Sequence, residues 1–154
     1  WVYSCGAGAN YGTALESALK MGETIHIPSC CYEIEEYIHG PNLQLTPQYN
    51  VIFFDGNDGA SRRVEQVYKA TRKVTNRAYL ISNNPQLSRD GHVLSLSDTV
   101  SSELSPLVYL PFVQLLSFIV SNDLHSIYQH PLLKEFKAIA AAKTENFVNY
   151  DGDD

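Results

Sequence analysis

The order of secondary-structure signals along the chain is what most constrains its fold. Short apolar runs, typical of strands buried in a sheet, alternate with longer stretches whose apolar residues recur every three or four positions, typical of helices. The strand-like runs are WVYSC, ETIHIP, NVIFFD, RAYLIS and HVLSLS. Because strands that alternate with helices pair in parallel and carry helices on both faces, we predict an α/β three-layer sandwich. Ligands of such folds bind at the carboxyl ends of the strands.

The helix-like stretches cover residues 14–21, 29–38, 61–74, 103–125 and 132–143. The residues predicted to share the buried side of the first stretch are Ala14, Leu15, Ala18, Leu19 and Met21. Ser29 is the candidate N-cap of the second. Pro106 and Pro111 are expected to shape the first turns of the fourth. Since Pro111 and Gln114 interrupt its apolar run, we predict a buried helix rather than a membrane span.

Size and charge exclude several classes of protein. The 154 residues suffice for one domain with a core, and a hydrophobic content of 44% argues against disorder. A formal net charge of -6 argues against nucleic acid or an anionic membrane as the main partner. The chain opens on a strand-like run without Met, so we expect residues 1–154 to be a single domain from a longer protein.

The cysteines and histidines give little support for a disulfide framework or a metal site. Cys30 and Cys31 are adjacent, and with a total of three cysteines we expect free thiols in a reducing cytoplasm. His26 and His39 lie near this pair, but the spacings are not those of structural zinc sites. We therefore predict no metal.

A Gly-rich turn, GAGANYG, follows the first strand-like run. Gly6 and Gly8 permit a tight turn, and the helix N-terminus beyond them could hold an anion. The dinucleotide-binding fingerprint is incomplete, because Tyr11 stands where its third glycine belongs. We predict no nucleotide cofactor, and the simpler interpretation is a tight turn from strand to helix.

Carboxylates and histidines crowd residues 22–41, GETIHIPSCCYEIEEYIHGP. Glu33, Glu35 and Glu36 could form a solvated helix face, although no Lys or Arg is interleaved with them. They could also belong to an acid/base centre, because clustered carboxylates raise one another's pKa and a histidine titrates near neutral pH. His39 precedes a rigid Gly-Pro, which could aim it at a substrate, or it could cap the helix.

Residues 4–54 resemble a known domain family. GAGANYGTALESALKMGET followed by EEYIHGP is similar to the second sugar isomerase (SIS) domain of the phosphosugar isomerase and deglycase superfamily. The isomerase half of glutamine–fructose-6-phosphate aminotransferase has a similar G-x-G-x-x-Y-x-x-A-L-E-x-A-L-K-x-x-E run, and fructosamine-6-phosphate deglycases share E-[FY]-x-H-G-P. The resemblance implies a Rossmann-like SIS fold, a place in the C-terminal half of a protein with two SIS domains, and a homo-oligomer.

The resemblance also implies catalytic roles. Glu23 falls on the family's catalytic base, which moves a proton between C1 and C2 of an open-chain sugar. His39 falls on the histidine that helps to open the sugar ring, and in the family this histidine reaches the active site of a neighbouring subunit. On this interpretation Glu33 and Glu35 are solvated.

Further positions are carried over as supporting residues. Glu16 and Lys20 fall on residues that support the sugar and the proton transfers in the aminotransferase branch. Glu36 matches the glutamate ahead of His-Gly-Pro, which has a structural or supporting role. With these we place Gly8 and Asn10, in the Gly-rich turn, among the substrate-binding residues.

Two family features are absent from the sequence. The Ser/Thr-rich loop that holds the phosphate belongs to the first SIS domain, and we expect it upstream. The aminotransferase ends in a short S-V-T-V-E tail that contains a functional lysine, and this tail is absent here. Lys143 is a possible stand-in for that lysine, but the residues around it do not match. The segments HPLLKEFK and NFVNY, together with EEYIHGP, are more similar to the deglycase branch.

We therefore predict a deglycase that cleaves a 6-phosphorylated fructosamine- or glucosamine-type amino acid adduct into sugar 6-phosphate and free amine. One alternative is the isomerase domain of a glucosamine-6-phosphate synthase. Others are a phosphosugar-sensing module of a transcription regulator and a SIS half that only completes a dimer. The expected partners are a phosphorylated sugar, the N-terminal SIS half and a second copy, without cofactor, metal, nucleic acid or membrane.

Overall fold

A computed structural model of the chain describes residues 1–87, 90–96, 100–126 and 133–139. Within them, five parallel strands form one sheet in the order β2-β1-β3-β4-β5. The strands are β1 (Val2–Gly6), β2 (Ser29–Glu33), β3 (Asn50–Asp55), β4 (Ala78–Ser82) and β5 (Val93–Ser95). The α-helices are α1 (Asn10–Lys20), α2 (Ile34–Ile38), α3 (Ser61–Thr71), α4 (Ser105–Asp123) and α5 (Leu133–Ile139). This architecture confirms the predicted parallel sheet of an α/β fold.

Helices cover both faces of the sheet, and each face has its own core. Side chains of the central strand β3 alternate between them: Val51 and Phe53 pack with α2 and α3, whereas Ile52 and Phe54 pack with α1 and α4. All four are buried. The strand is apolar without interruption because both of its faces are covered.

The second strand begins later than predicted. ETIHIP is not a strand, because α1 continues into a π-helical turn, Met21–Ile25, which ends at His26 in the left-handed conformation (φ 60°). The following residues, predicted to begin a helix, form β2 instead because they pair with β1 along the edge of the sheet. The helix α2 is consequently short, and its N-cap is Glu33 rather than Ser29.

The helix α1 buries a smaller face than predicted. Leu15 and Leu19 are exposed, whereas Ser17 is buried and accepts a hydrogen bond from the Ser4 hydroxyl on β1 (2.9 Å). The predicted alanines are buried. Small side chains allow close packing of α1 against the sheet and α4, and this geometry turns the two leucines outward.

The helix α4 is long, apolar and covered along one stripe only. Ser105 and Pro106 open it and Pro111 lies inside it, close to the prediction. Its buried residues are Ser105, Tyr109, Val113, Ser117 and Ser121. Among the described residues, the stretch Ser102–Asp123 has the length and apolar composition of a membrane-crossing helix. Of its most apolar 18-residue segment, 28% is buried. The prediction of a buried helix is therefore confirmed along one side of α4, while Leu115 and Phe118 on the other side are exposed.

Candidate functional site

Glu16, Lys20 and Glu23 meet at the C-terminal end of α1. The Lys20 ammonium lies 2.8 Å from Glu23 Oε2 and 3.6 Å from Glu16 Oε1. Spacings of three and four residues place these side chains on one side of the helix. The hydrogen bond to Glu23 is the main cause of the raised pKa of Lys20. The structure therefore brings together three of the residues predicted from the sequence.

The π-helical turn after α1 fixes the backbone of Glu23. Its neighbours Met21 and Ile25 are buried, and the Thr24 hydroxyl donates a hydrogen bond to a carbonyl of the preceding turn (2.7 Å). The Thr24 carbonyl accepts a hydrogen bond from Ser126, just beyond α4 (2.7 Å). The Glu23 side chain itself stays more than half exposed. A carboxylate on such an anchored turn is able to exchange a proton with a bound substrate.

His39 follows α2 in the other helical layer. Its Nδ1 lies 2.6 Å from the Glu35 carbonyl oxygen, and since a carbonyl only accepts, Nδ1 carries the proton of this hydrogen bond. Nε2 is then the basic nitrogen of the neutral imidazole. The Glu35 carboxylate forms a two-point ion pair with the Arg63 guanidinium (2.6 and 3.1 Å). Glu35 is exposed, as predicted, but it is ion-paired rather than simply solvated.

Glu33 and Glu36 close the N-terminus of α2 as a capping box. Glu33 Oε2 accepts a hydrogen bond from the Glu35 amide (2.6 Å), and Glu36 Oε2 accepts one from the Glu33 amide (3.4 Å). The exchange satisfies backbone donors that a helix leaves unpaired at its start. Glu36 thus has a structural contact of the kind expected for it, and its part in substrate binding stays a prediction.

Glu23 and His39 do not meet within one chain. The π-helical turn packs with α1 and α4 on one face of the sheet, and α2 packs with α3 on the opposite face. Edge strand β2 lies between the two layers. Within one chain Glu23 and His39 therefore belong to different layers, and their joint action on one substrate, with His39 supplied by a neighbouring subunit, stays a prediction.

The Gly-rich turn lies at the carboxyl end of β1, far from the Glu23 turn. Gly8 adopts a positive φ of 54°, and a side chain there would approach the Asp58 carboxylate to 3.2 Å. Asn10 is buried: its Nδ2 donates to Ser105 Oγ (2.7 Å), and its Oδ1 accepts from the Thr13 hydroxyl (3.0 Å). The amide therefore joins α1 to α4, while substrate binding by Gly8 and Asn10 stays a prediction.

The sequence reasoning missed Asp55, the organising residue of the carboxyl edge. Its buried carboxylate accepts hydrogen bonds from Ser82 Oγ (2.7 Å), the Asn57 amide (3.0 Å) and Ser61 Oγ. Asp55 thereby links β3, β4 and the start of α3. An Asp-Gly directly after a buried strand was the available signal. The carboxylates of Asp55 and Asp58 both lie at this edge, where they disfavour a bound phosphate.

The cysteines are free thiols in three environments. Cys5 is buried, Cys31 is half-buried and Cys30 is exposed. Burial raises the pKa of the Cys5 and Cys31 thiols. Among the residues that the structure describes, no group of three or more His, Cys, Asp or Glu side chains is arranged to hold a metal ion.

Comparison with known proteins identifies sequence relatives and solved structures that share the fold. No family model matches the chain. Glutamine–fructose-6-phosphate aminotransferase from Methanothermobacter thermautotrophicus is 31% identical over 122 residues, which are 77% of this chain and 20% of that protein. The Xylella fastidiosa (strain Temecula1) protein of the same name is 28% identical over 115 residues, 73% of this chain and 19% of its own length. The chain thus spans about a fifth of these curated relatives.

Solved structures share the fold. Tagatose-6-phosphate ketose/aldose isomerase from Escherichia coli superposes with a TM-score of 0.72 at 18% identity, over 80% of this chain and 35% of the other. The C-terminal domain of glucosamine–fructose-6-phosphate aminotransferase from Francisella tularensis gives a TM-score of 0.65 at 23% identity, over 79% of this chain and 35% of that one.

The sheet order, the helical layers and these likenesses define the class: an α/β domain whose parallel five-stranded sheet carries helices on both faces. More specifically, the chain belongs to the SIS domain superfamily that includes the isomerase domain of glutamine–fructose-6-phosphate aminotransferase. This confirms the resemblance drawn from the Gly-rich turn and the His-Gly-Pro motif. Lys143, the stand-in for the family's tail lysine, lies outside the described residues.

Proposed function

We propose that the chain supplies the Glu23 carboxylate to an enzyme that converts phosphorylated sugar derivatives, specifically a deglycase. Its substrate would be a 6-phosphorylated ketose that carries an amino acid nitrogen on C1. The observation that carries the proposal is the exposed Glu23 carboxylate, held 2.8 Å from the Lys20 ammonium on an anchored turn. A base for carbon acids needs a fixed position and access to the substrate, and Glu23 has both.

The proposed reaction needs no oxidant or reductant. His39 assists opening of the sugar ring, which frees the carbonyl at C2. Glu23 removes a proton from C1 to give an enaminol and returns it to C2, which leaves an imine between C1 and the amino acid nitrogen. Water then hydrolyses the imine to the aldose 6-phosphate and the free amino acid. Lys20 keeps the carboxylate oriented through both proton transfers.

The remaining parts of the site are proposed to come from an N-terminal SIS half and a second copy. Two observations support this. The carboxyl edge of this sheet carries the carboxylates of Asp55 and Asp58, which repel a phosphate. Apolar surface is also left open: a cavity of about 610 Å³ lies between α4 and the amino half of the sheet, lined by residues such as Ile52, Tyr79 and Phe112. Open apolar surface of this kind marks contact with other polypeptide.

A glucosamine-6-phosphate synthase is the second candidate. The aminotransferase that is 31% identical to the chain favours it. The same Glu23 chemistry would serve. Conversion of a C2 imine of fructose 6-phosphate into glucosamine 6-phosphate also moves a proton from C1 to C2. The two functions differ in what the parent protein releases, which is free amino acid in one case and glucosamine 6-phosphate in the other.

The test uses the parent protein that contains this chain. It is incubated with 6-phosphorylated fructosamine amino acids, and separately with fructose 6-phosphate plus glutamine or ammonia, and the products are followed by mass spectrometry. We expect release of free amino acid that Glu23→Gln lowers by at least about 100-fold, because the amide cannot accept the proton. Formation of glucosamine 6-phosphate alone would establish the synthase instead.

The matched control is Glu65→Gln. Glu65 forms an ion pair with Lys69 on α3 at a spacing of four residues, the spacing that Glu16 and Lys20 have on α1. Loss of the Glu65 carboxylate should leave turnover unchanged. Phosphosugar binding without either product would refute the enzymatic proposal and favour a sensing module.

A further inference from the structure

The short helix α2 needs outside support to hold His39. It has five residues, Ile34–Ile38, and a helix of this length is not stable by itself. Buried Ile34 and Tyr37 pack it against the sheet, and its capping box closes the N-terminus. These contacts fix the start of α2 and its inner side, whereas His39 follows the last residue on the outer side.

Arg63 supplies a contact on that outer side. It belongs to α3, a helix of 11 residues that buried Val64 and Val67 anchor to the sheet. Arg63 Nε lies 2.6 Å from Glu35 Oε1, and Nη2 lies 3.1 Å from Oε2. A guanidinium that bonds both oxygens fixes the direction as well as the distance of the carboxylate. The hydrogen bond to Arg63 is also the main reason that the pKa of Glu35 is lowered.

The contact continues through Glu35 to the imidazole. The Glu35 side chain bonds Arg63, and the backbone carbonyl oxygen of Glu35 accepts the Nδ1 proton of His39 (2.6 Å). The His39 amide donates to the Glu36 carbonyl (3.1 Å), which fixes the backbone of the histidine. A movement of Glu35 would therefore displace the acceptor that selects the histidine's tautomer.

We propose that Arg63 is a positioning residue that, through Glu35, holds His39 as the Nδ1-protonated tautomer and leaves Nε2 as the basic nitrogen. The consequence for turnover rests on the proposed function, in which His39 assists opening of a sugar ring. The tautomer itself does not depend on that function. Arg63 lies 28 residues from Glu35 in sequence, so this link exists only in the folded chain.

The first arm of the test measures the tautomer in the chain labelled with ¹⁵N-histidine. The imidazole nitrogen shifts of His39, assigned with His39→Gln, should show Nδ1–H in the neutral ring of the wild type. Arg63→Ala should move the ring toward a mixture with Nε2–H, the form that free histidine prefers. Arg62→Ala, at the neighbouring exposed arginine, should leave it unchanged. A wild-type ring protonated on Nε2 would overturn the proposal.

The second arm measures turnover of a 6-phosphorylated fructosamine amino acid by the parent protein. Arg63→Ala should lower kcat by about 10-fold with KM changed by less than about 2-fold, because a misplaced group loses orientation rather than substrate affinity. Arg63→Lys keeps the charge but not the two-point hydrogen bond, so its kcat should lie between those of the wild type and Arg63→Ala. The exchange Glu35→Arg with Arg63→Glu restores the pair and should recover most of kcat.

The two arms separate the possible failures. A tautomer that responds to Arg63→Ala in a parent without deglycase or synthase activity would support the positioning role and refute the proposed function. An unchanged tautomer in folded Arg63→Ala, with kcat within about 2-fold of the wild type, would refute the positioning role even if the enzyme is a deglycase. Loss of activity without recovery in the exchanged pair would also count against it.

Discussion

The Tyr109 hydroxyl, in the first half of α4, donates a hydrogen bond to the Asp55 carbonyl oxygen at the end of β3 (2.7 Å). The carboxylate of the same aspartate accepts a hydrogen bond from Ser82 on β4 (2.7 Å). One residue therefore joins two strands to the long helix at the carboxyl edge. Because both polar groups of Asp55 are buried, their hydrogen bonds cannot be replaced by water without opening the domain.

Asp55→Ala should lower the free energy of unfolding by about 3 kcal/mol, since it leaves buried donors, among them the Ser82 hydroxyl, without an acceptor. Urea unfolding of the chain followed by circular dichroism measures the loss. Asp123→Ala, at the exposed end of α4, is the matched control and should change stability by less than about 0.5 kcal/mol. A loss below about 1 kcal/mol for Asp55→Ala would contradict the structural importance given to the network.

The buried tyrosines predict loss of stability in alkali. Burial raises the pKa of Tyr3, Tyr37 and Tyr109 above its ordinary value. In the unfolded chain these side chains lose their protons near pH 10, while in the folded chain they keep them, so above about pH 10 the unfolded state binds fewer protons. Stability is therefore complete below that pH and falls as the pH rises, by up to about 1.4 kcal/mol per pH unit for each tyrosine.

Urea midpoints measured from pH 8 to pH 11.5 check this expectation. Tyr109→Phe removes one titrating group together with its hydrogen bond to Asp55. The variant should be less stable at pH 8 and should lose stability less steeply above about pH 10. A wild-type midpoint that stays constant through this range would show that the tyrosines ionise without unfolding.

Lys20→Met should impair the proposed reaction while leaving the fold intact. The ammonium that bridges Glu16 and Glu23 is lost, and the Glu23 carboxylate is no longer held in one orientation. We expect kcat to fall by at least about 10-fold in the parent protein. Unfolding in urea should change by less than about 1 kcal/mol, because the pair is largely exposed. Lys69→Met removes a similar helical ion pair on α3 and is the control; equal turnover in both variants would contradict a role for Lys20.

The fold followed from the sequence wherever local pattern and tertiary packing agree. NVIFFD predicts a strand covered on both faces, and β3 has that position. The prediction of a strand for ETIHIP is wrong. Its apolar and polar residues alternate as in a strand, but α1 continues through them as a π-helical turn that ends at His26. Ser29–Glu33 shows helical spacing but pairs with β1, and such pairing outweighs local preference.

The candidate site was predictable to the extent that it is local in sequence. Glu16, Lys20 and Glu23 were named from the family resemblance, because the strand predicted for ETIHIP separated Glu23 from the helix; the continued helix now places all three on one side. Arg63 and its contact with Glu35 join separate helices, and no spacing rule connects them. The outward direction of Leu15 also depends on how closely α1 approaches its neighbours, which sequence periodicity does not specify.

The exposed side of α4 predicts that the isolated chain self-associates. Leu115, Phe118 and Ile119 form an apolar stripe that is exposed among the residues that the structure describes. Sedimentation velocity at rising concentration should therefore show a species heavier than the 17.2 kDa chain. Replacing both Phe118 and Ile119 with lysine should shift the protein to monomer without changing its circular dichroism, because neither side chain is in the core. Val74→Lys, an exposed apolar position just after α3, should leave association unchanged. A wild-type monomer at high concentration would remove α4 as a contact surface and direct attention to the cavity beside it.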